Sequence, residues 1–143
     1  WRKTADGAEV NFTYSTGGTS SRSTNRCLRI SGQHSSTIPE AASAVDNVGS
    51  ANPNPPSLDP ASWGVENTLW FAYEIVGGDS LVTAYPTNYV GNQYTDSAVD
   101  PSIGLCSRNL AAASEDPGAF TVATGNSWIA FTVAVTLATS TQP

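Results

Sequence analysis

The sequence contains no methionine, a single histidine and two cysteines, and charged residues make up only 13% of its 143 positions. Each shortage excludes something. Two cysteines without a histidine cluster make a poor metal site, and His34, the one imidazole, lies in a loop without the serine nucleophile motif or orienting acid that a histidine-centred hydrolase needs. No run approaches the roughly 18 apolar residues of a membrane-spanning helix, and no charged-then-apolar leader stands at the start. The net charge of −6 disfavours the phosphate backbone of nucleic acids. No spacing of residues calls for a cofactor. The lack of methionine, with Trp1 in first place, leads one to expect a processed product or part of something longer.

What is present is Ser, Thr, Ala and Gly in quantity, with four Trp, five Tyr and four Phe, thirteen aromatic side chains in all. That is enough apolar area for one core, so residues 1–143 are expected to form a single domain. The composition suits an extracellular or particle-bound β protein. Asp6-Gly7 reads as a two-residue hairpin turn, yet the strand that would feed it has almost no length here. One or two strands are therefore expected upstream of Trp1, from the same gene product or a neighbour.

Charge is unevenly distributed. Arg2, Lys3, Arg22, Arg26 and Arg29 face only Asp6 and Glu9 in the first 29 residues, five minus two or +3; beyond them Arg108 stands against ten carboxylates, or −9. Such polarity orients copies in an assembly or steers docking onto an acidic partner; the plainer reading is an acidic surface with locally paired arginines.

The stretch from Ser62 to Val76 is the expected centre. Leu69, Phe71, Tyr73 and Ile75 alternate with Trp70, Ala72, Glu74 and Val76, so both faces of the strand are largely apolar and both should be covered. Asn52 to Pro60 is too proline-rich to donate to a ladder and is expected to cross the surface. Further strands are expected at Glu9 to Ser15, Ser23 to Ser31, Ser80 to Tyr85, Ser102 to Ala112, Ala119 to Ala123 and Ser127 to Ala138. In the last of these the large face (Ile129, Phe131, Val133, Val135, Leu137) should enter the core, leaving the small face (Trp128, Ala130, Thr132, Ala134, Thr136) to another chain. Gln33 to Pro60 reads as a long loop with brief extended pieces, Ile38 to Ala44 offering at most a short helical turn that nothing periodic continues, and Thr87 to Ser102 reads as a second long loop. Asn11-Phe-Thr13 matches a glycosylation acceptor, although it falls inside a strand.

Candidate functional residues are few. Trp63, Tyr85, Tyr89 and Tyr94 on loops make a stacking platform for sugar rings or a partner's surface, or else cover the open end of the fold. Cys27 and Cys106 fall in separate strands and pair if those strands are neighbours; otherwise they are small buried residues. The close carboxylates Glu115-Asp116 and Asp96/Asp100 sit in turn-like settings, where solvated or capping roles prevail.

Seven or eight strands, no helix and long Pro/Ser-rich crossings predict an all-β, antiparallel two-sheet sandwich of jelly-roll type. The series Trp1-Arg-Lys-Thr-Ala-Asp-Gly-Ala-Glu9, Leu28-Arg-Ile-Ser-Gly32, Pro56-Ser-Leu-Asp-Pro-Ala-Ser-Trp-Gly64 with Thr68-Leu-Trp70, Tyr85-Pro-Thr-Asn-Tyr89, Ser114-Glu-Asp-Pro-Gly-Ala-Phe120 and Trp128-Ile-Ala-Phe-Thr-Val-Ala-Val135 resembles a domain recurrent in structural proteins of tailed phages and prophages. The resemblance covers nearly the whole chain and consists mostly of turn and core residues. It implies a non-enzymatic virion protein on the particle surface, a tail-fibre or receptor-binding part or a capsid decoration. Its partners would be copies of itself, other virion proteins and a host glycan. Relatives have a further strand or two ahead of the position of Trp1, and they carry small or aliphatic residues where this chain has its cysteines. The alternative is a secreted carbohydrate-binding or adhesin module using the aromatic loop face.

Overall fold

The computed structural model describes residues 23–95 and 101–138. The expected hairpin at Asp6-Gly7, the strand from Glu9 to Ser15 with its sequon, and Asp96 and Asp100 lie outside the described residues. Among those described there is no helix. Seven strands form two antiparallel sheets: β1 (Glu40–Asp46), β2 (Glu66–Val76), β3 (Val82–Ala84), β4 (Val90–Thr95), β5 (Ser102–Ala112), β6 (Thr121–Val122) and β7 (Trp128–Thr136). One sheet has the order β1-β7-β2-β5-β4 and the other pairs β3 with β6.

Central placement of β2 follows from its composition. Only a strand with neighbours on both sides and cover on both faces satisfies eleven residues with so few polar side chains. Trp70, opposite Ala134 on β7 and Arg108 on β5, is fully buried, and its indole N–H donates to the Leu110 carbonyl at 3.1 Å. On this face Trp70, Ala72 and Val76 join Cys106 and Ala134 in a core completed by Leu58, Val82, Phe120 and Val122. The opposite face buries Phe71, Leu105 and Val135 beneath Leu28 and Ile30.

Several expectations are corrected. On β7 the small face turns inward as well: Ala130, Thr132 and Ala134 are fully buried, whereas of the large face Val135 is buried and Ile129, Phe131 and Val133 are half-buried. Trp70 and Phe120 already fill that side, so the neighbouring strand must present small groups. The proline-rich crossing is not superficial, because Pro53 and Pro55 are fully buried. Proline cannot donate, but its carbonyls accept: Phe120 N–H bonds Pro53 at 2.8 Å and Val122 N–H bonds Ala51 at 2.9 Å, a ladder that asks only for acceptors.

Two segments expected to be loops are edge strands. β1 consists of small residues that alternate in burial, and it is held by its ladder to β7. Its ends are tied by carboxylates: Glu40 accepts the Ala61 and Ser62 amides at 2.9 Å each, and Asp46 accepts those of Val48 and Ser50 at 2.7 and 2.9 Å. β4 pairs with β5 through an irregular register at Val90 to Gln93, where Gly91 takes a φ of +66°. Conversely, Ser23 to Ile30 forms no ladder, although it alternates in burial as the sequence suggests.

Candidate functional site

The four aromatic candidates gather against one core cluster but do not present a common exposed surface. Tyr89 is buried, and its hydroxyl donates to Glu115 Oε1 at 3.2 Å. Tyr85 meets the Phe120 ring edge-on with centroids 5.7 Å apart. Tyr94 sits half-buried on β4. Trp63 is half-buried too, and its indole N–H donates to Thr68 Oγ1 at 3.2 Å. The cysteines are unbonded, with Cys27 exposed and Cys106 buried. The disulfide considered from the sequence is therefore not formed. Cys106 belongs to the core beneath Trp70, while Leu28, next to Cys27, packs on the opposite face, so the sheet stands between the two thiols. Burial pushes the Cys106 thiol up to about 12, leaving it unreactive at neutral pH.

Glu115, expected in a solvated turn, is instead the hub of a buried cluster. Its backbone pairs with Leu58 at 2.9 and 3.0 Å, and its Oε1 takes hydrogen bonds from Arg108 Nη1 at 2.9 Å and from Tyr89. Burial, reinforced by the adjacent carboxylate, raises the Tyr89 phenol further above its ordinary range. The cluster ties β5, the turn before β6 and the loop before β4 together; its groups are mutually satisfied.

Glu74 is different. It is completely buried on β2, facing Gly104, and neither carboxylate oxygen has a hydrogen-bond partner. A Cβ at Gly104 would lie 2.6 Å from Glu74 Oε1 and 2.8 Å from Val82 Cγ2, so glycine there makes the room that the carboxyl occupies. Desolvation lifts the group to about 8, against a small opposing effect of the Gly104 amide. Glu74 is thus a neutral carboxylic acid at and below neutral pH. One polar position on an otherwise apolar strand face was the available sequence signal.

Depressions mark the surface of the described residues. At the strand ends, Val45, Ile75, Trp128 and Ile129 line an open apolar groove of about 300 Å³. Another is a more enclosed cleft of about 150 Å³ between His34, Thr37, Trp63, Glu66, Thr136 and Leu137. The His34 loop is laced to the end of β7 by His34 N–H to Thr136 O and Ala138 N–H to Gly32 O, at 2.9 and 2.8 Å. Among the described residues no three His, Cys, Asp or Glu side chains gather as a metal site, and no helix is long and apolar enough to cross a membrane.

Comparison of the chain with protein families, curated proteins and solved structures finds no match. The functional reading therefore rests on the residues themselves.

Proposed function

We propose that this chain is a non-enzymatic structural domain displayed on the surface of a tailed-phage particle, as a tail-fibre or receptor-binding part or a capsid decoration. The observation that carries the reading is the construction of the five-stranded sheet. Its centre is sealed on both faces, while among the described residues β1 and β4 each bond a single neighbour and end the sheet. Val45, Val48 and Val90 are exposed on or beside those edges. A rigid body with open edges suits lateral packing of copies, and repeated weak contacts on a symmetric particle add up to firm attachment.

The finer fold reading, a two-sheet sandwich of jelly-roll type, belongs to the same proposal. Val82 of β3 and Val122 of β6 share the core of Trp70, which supports a second layer over that face. The competing reading, a secreted module with a four-aromatic sugar platform, is weakened by the inward-facing, hydrogen-bonded Tyr89.

Light scattering with native mass spectrometry tests the proposal. A trimer or larger assembly, with antibody against the chain labelling intact particles, is the expected result. A monomer that never labels particles overturns it.

A further inference from the structure

We infer that the cleft between His34, Trp63 and Thr136 is a binding site for one neutral pyranose unit of a glycan. The inference deepens the attachment role proposed above and rests on it for its biological sense, but its chemistry is independent of assembly.

The cleft holds what a sugar ring requires. A pyranose has an apolar C–H face and a rim of hydroxyls that each donate and accept, so its sites combine an aromatic surface with fixed polar groups. Here the Trp63 indole supplies the surface, and the bond from its Nε1–H to Thr68 Oγ1 fixes the ring. Imidazole chemistry is set locally as well. The Thr37 amide donates to His34 Nδ1 at 3.2 Å and the Thr37 hydroxyl lies 2.8 Å from the same atom. An N–H pointing at Nδ1 requires that nitrogen to be an acceptor, so the ring proton sits on Nε2 and is available to donate to a ligand. Thr136 is 7% exposed and lines the cleft, where its hydroxyl is a further polar group for a ligand. Glu66, exposed on the rim, adds an acceptor.

Size and charge narrow the ligand class. About 150 Å³ holds a single ring rather than a chain, so the glycan would enter by one terminal or branching residue. The Glu66 carboxylate disfavours uronic and sialic acids. Neutral hexoses and N-acetylhexosamines remain. One small ring on a preformed cleft corresponds to a dissociation constant on the order of 1 mM, the range in which many displayed copies convert weak contacts into strong attachment.

The test is an NMR titration of the full ¹⁵N-labelled chain with methyl glucoside, methyl galactoside, methyl N-acetylglucosaminide and methyl glucuronide. Saturable shifts confined to His34, Thr37, Trp63, Glu66 and Thr136 are expected with at least one neutral glycoside, and weaker binding with the glucuronide. Thr136→Val, nearly isosteric, should weaken binding about tenfold with an unchanged melting temperature. Glu66→Gln should narrow the gap between neutral and anionic sugars. No saturable shift with any neutral glycoside, shifts centred elsewhere, or full binding by Thr136→Val would each overturn the site. Because the titration reads a single chain in solution, its failure leaves the display role standing, and a monomer that binds sugar would defeat the display role while keeping the site.

Discussion

Glu74 sets the sharpest residue-scale expectation. The folded chain keeps a proton on this carboxyl up to about 8, whereas the unfolded chain releases it near the ordinary 4.5. Its effect on stability is therefore nil below about 4.5, grows unfavourable as pH rises to about 8, and levels off above. At about 1.4 kcal/mol per pH unit the loss reaches at most about 5 kcal/mol, less wherever local opening admits water. Urea midpoints measured from pH 4.5 to 8.5 should fall across that interval, and Glu74→Gln should flatten the curve; an unchanged slope in the variant would assign the effect elsewhere. Gly104→Ala drives a methyl group into Glu74 and Val82 and should cost about 1–3 kcal/mol by the same measurement.

The Arg108–Glu115–Tyr89 cluster is a second residue-scale case. Arg108→Met leaves a buried carboxylate with Tyr89 as its one side-chain donor, and because Arg108 keeps 27% exposure the expected loss is about 2–3 kcal/mol rather than the value of a fully buried pair. Thermal unfolding of the single variant decides it. A change below about 0.5 kcal/mol would mean that solvent replaces the guanidinium.

At the scale of the element, β7 carries the expectation. Because Ala134 is fully buried opposite Trp70, Ala134→Leu should destabilise by about 1–3 kcal/mol through overpacking, while Ile129→Val on the half-buried face should cost about 1 kcal/mol or less. The reverse order would restore the face assignment that side-chain size alone suggests. That assignment held for Val135 and failed for the small residues, because periodicity identifies two faces without saying which is crowded by residues remote in sequence. β2, β5 and β7 were legible since their alternation is long and their side chains are large. β1 was not, since Ala and Ser have weak β propensity and the strand owes its shape to β7 and to the carboxylates of Glu40 and Asp46. β4 was hidden by Gly91 and Asn92 in the same way. The candidate site was less legible still: Trp63 stood out as an aromatic residue in a loop, but nothing in the spacing of His34, Glu66 and Thr136 announced that the end of β7 would bring them together.

At the scale of the whole molecule, the two thiols report on integrity. Cys27 should react with a thiol reagent in the native state, and Cys106 only after unfolding. Titration with and without denaturant should count one thiol and then two; two in the native state would mean that the face under Trp70 is open.

The strand order also bears on how the chain is made. Both neighbours of β2, β5 and β7, follow it in sequence. On the ribosome the central strand thus emerges before either partner exists, and about 50 residues separate Val76 from Trp128. At synthesis rates of roughly 5–20 residues per second, several seconds pass before the second ladder can close. Throughout that interval β2 is a nascent segment in need of shelter, and the tempo of translation, as much as the depth of the folded well, governs how much of the protein reaches its native sheet.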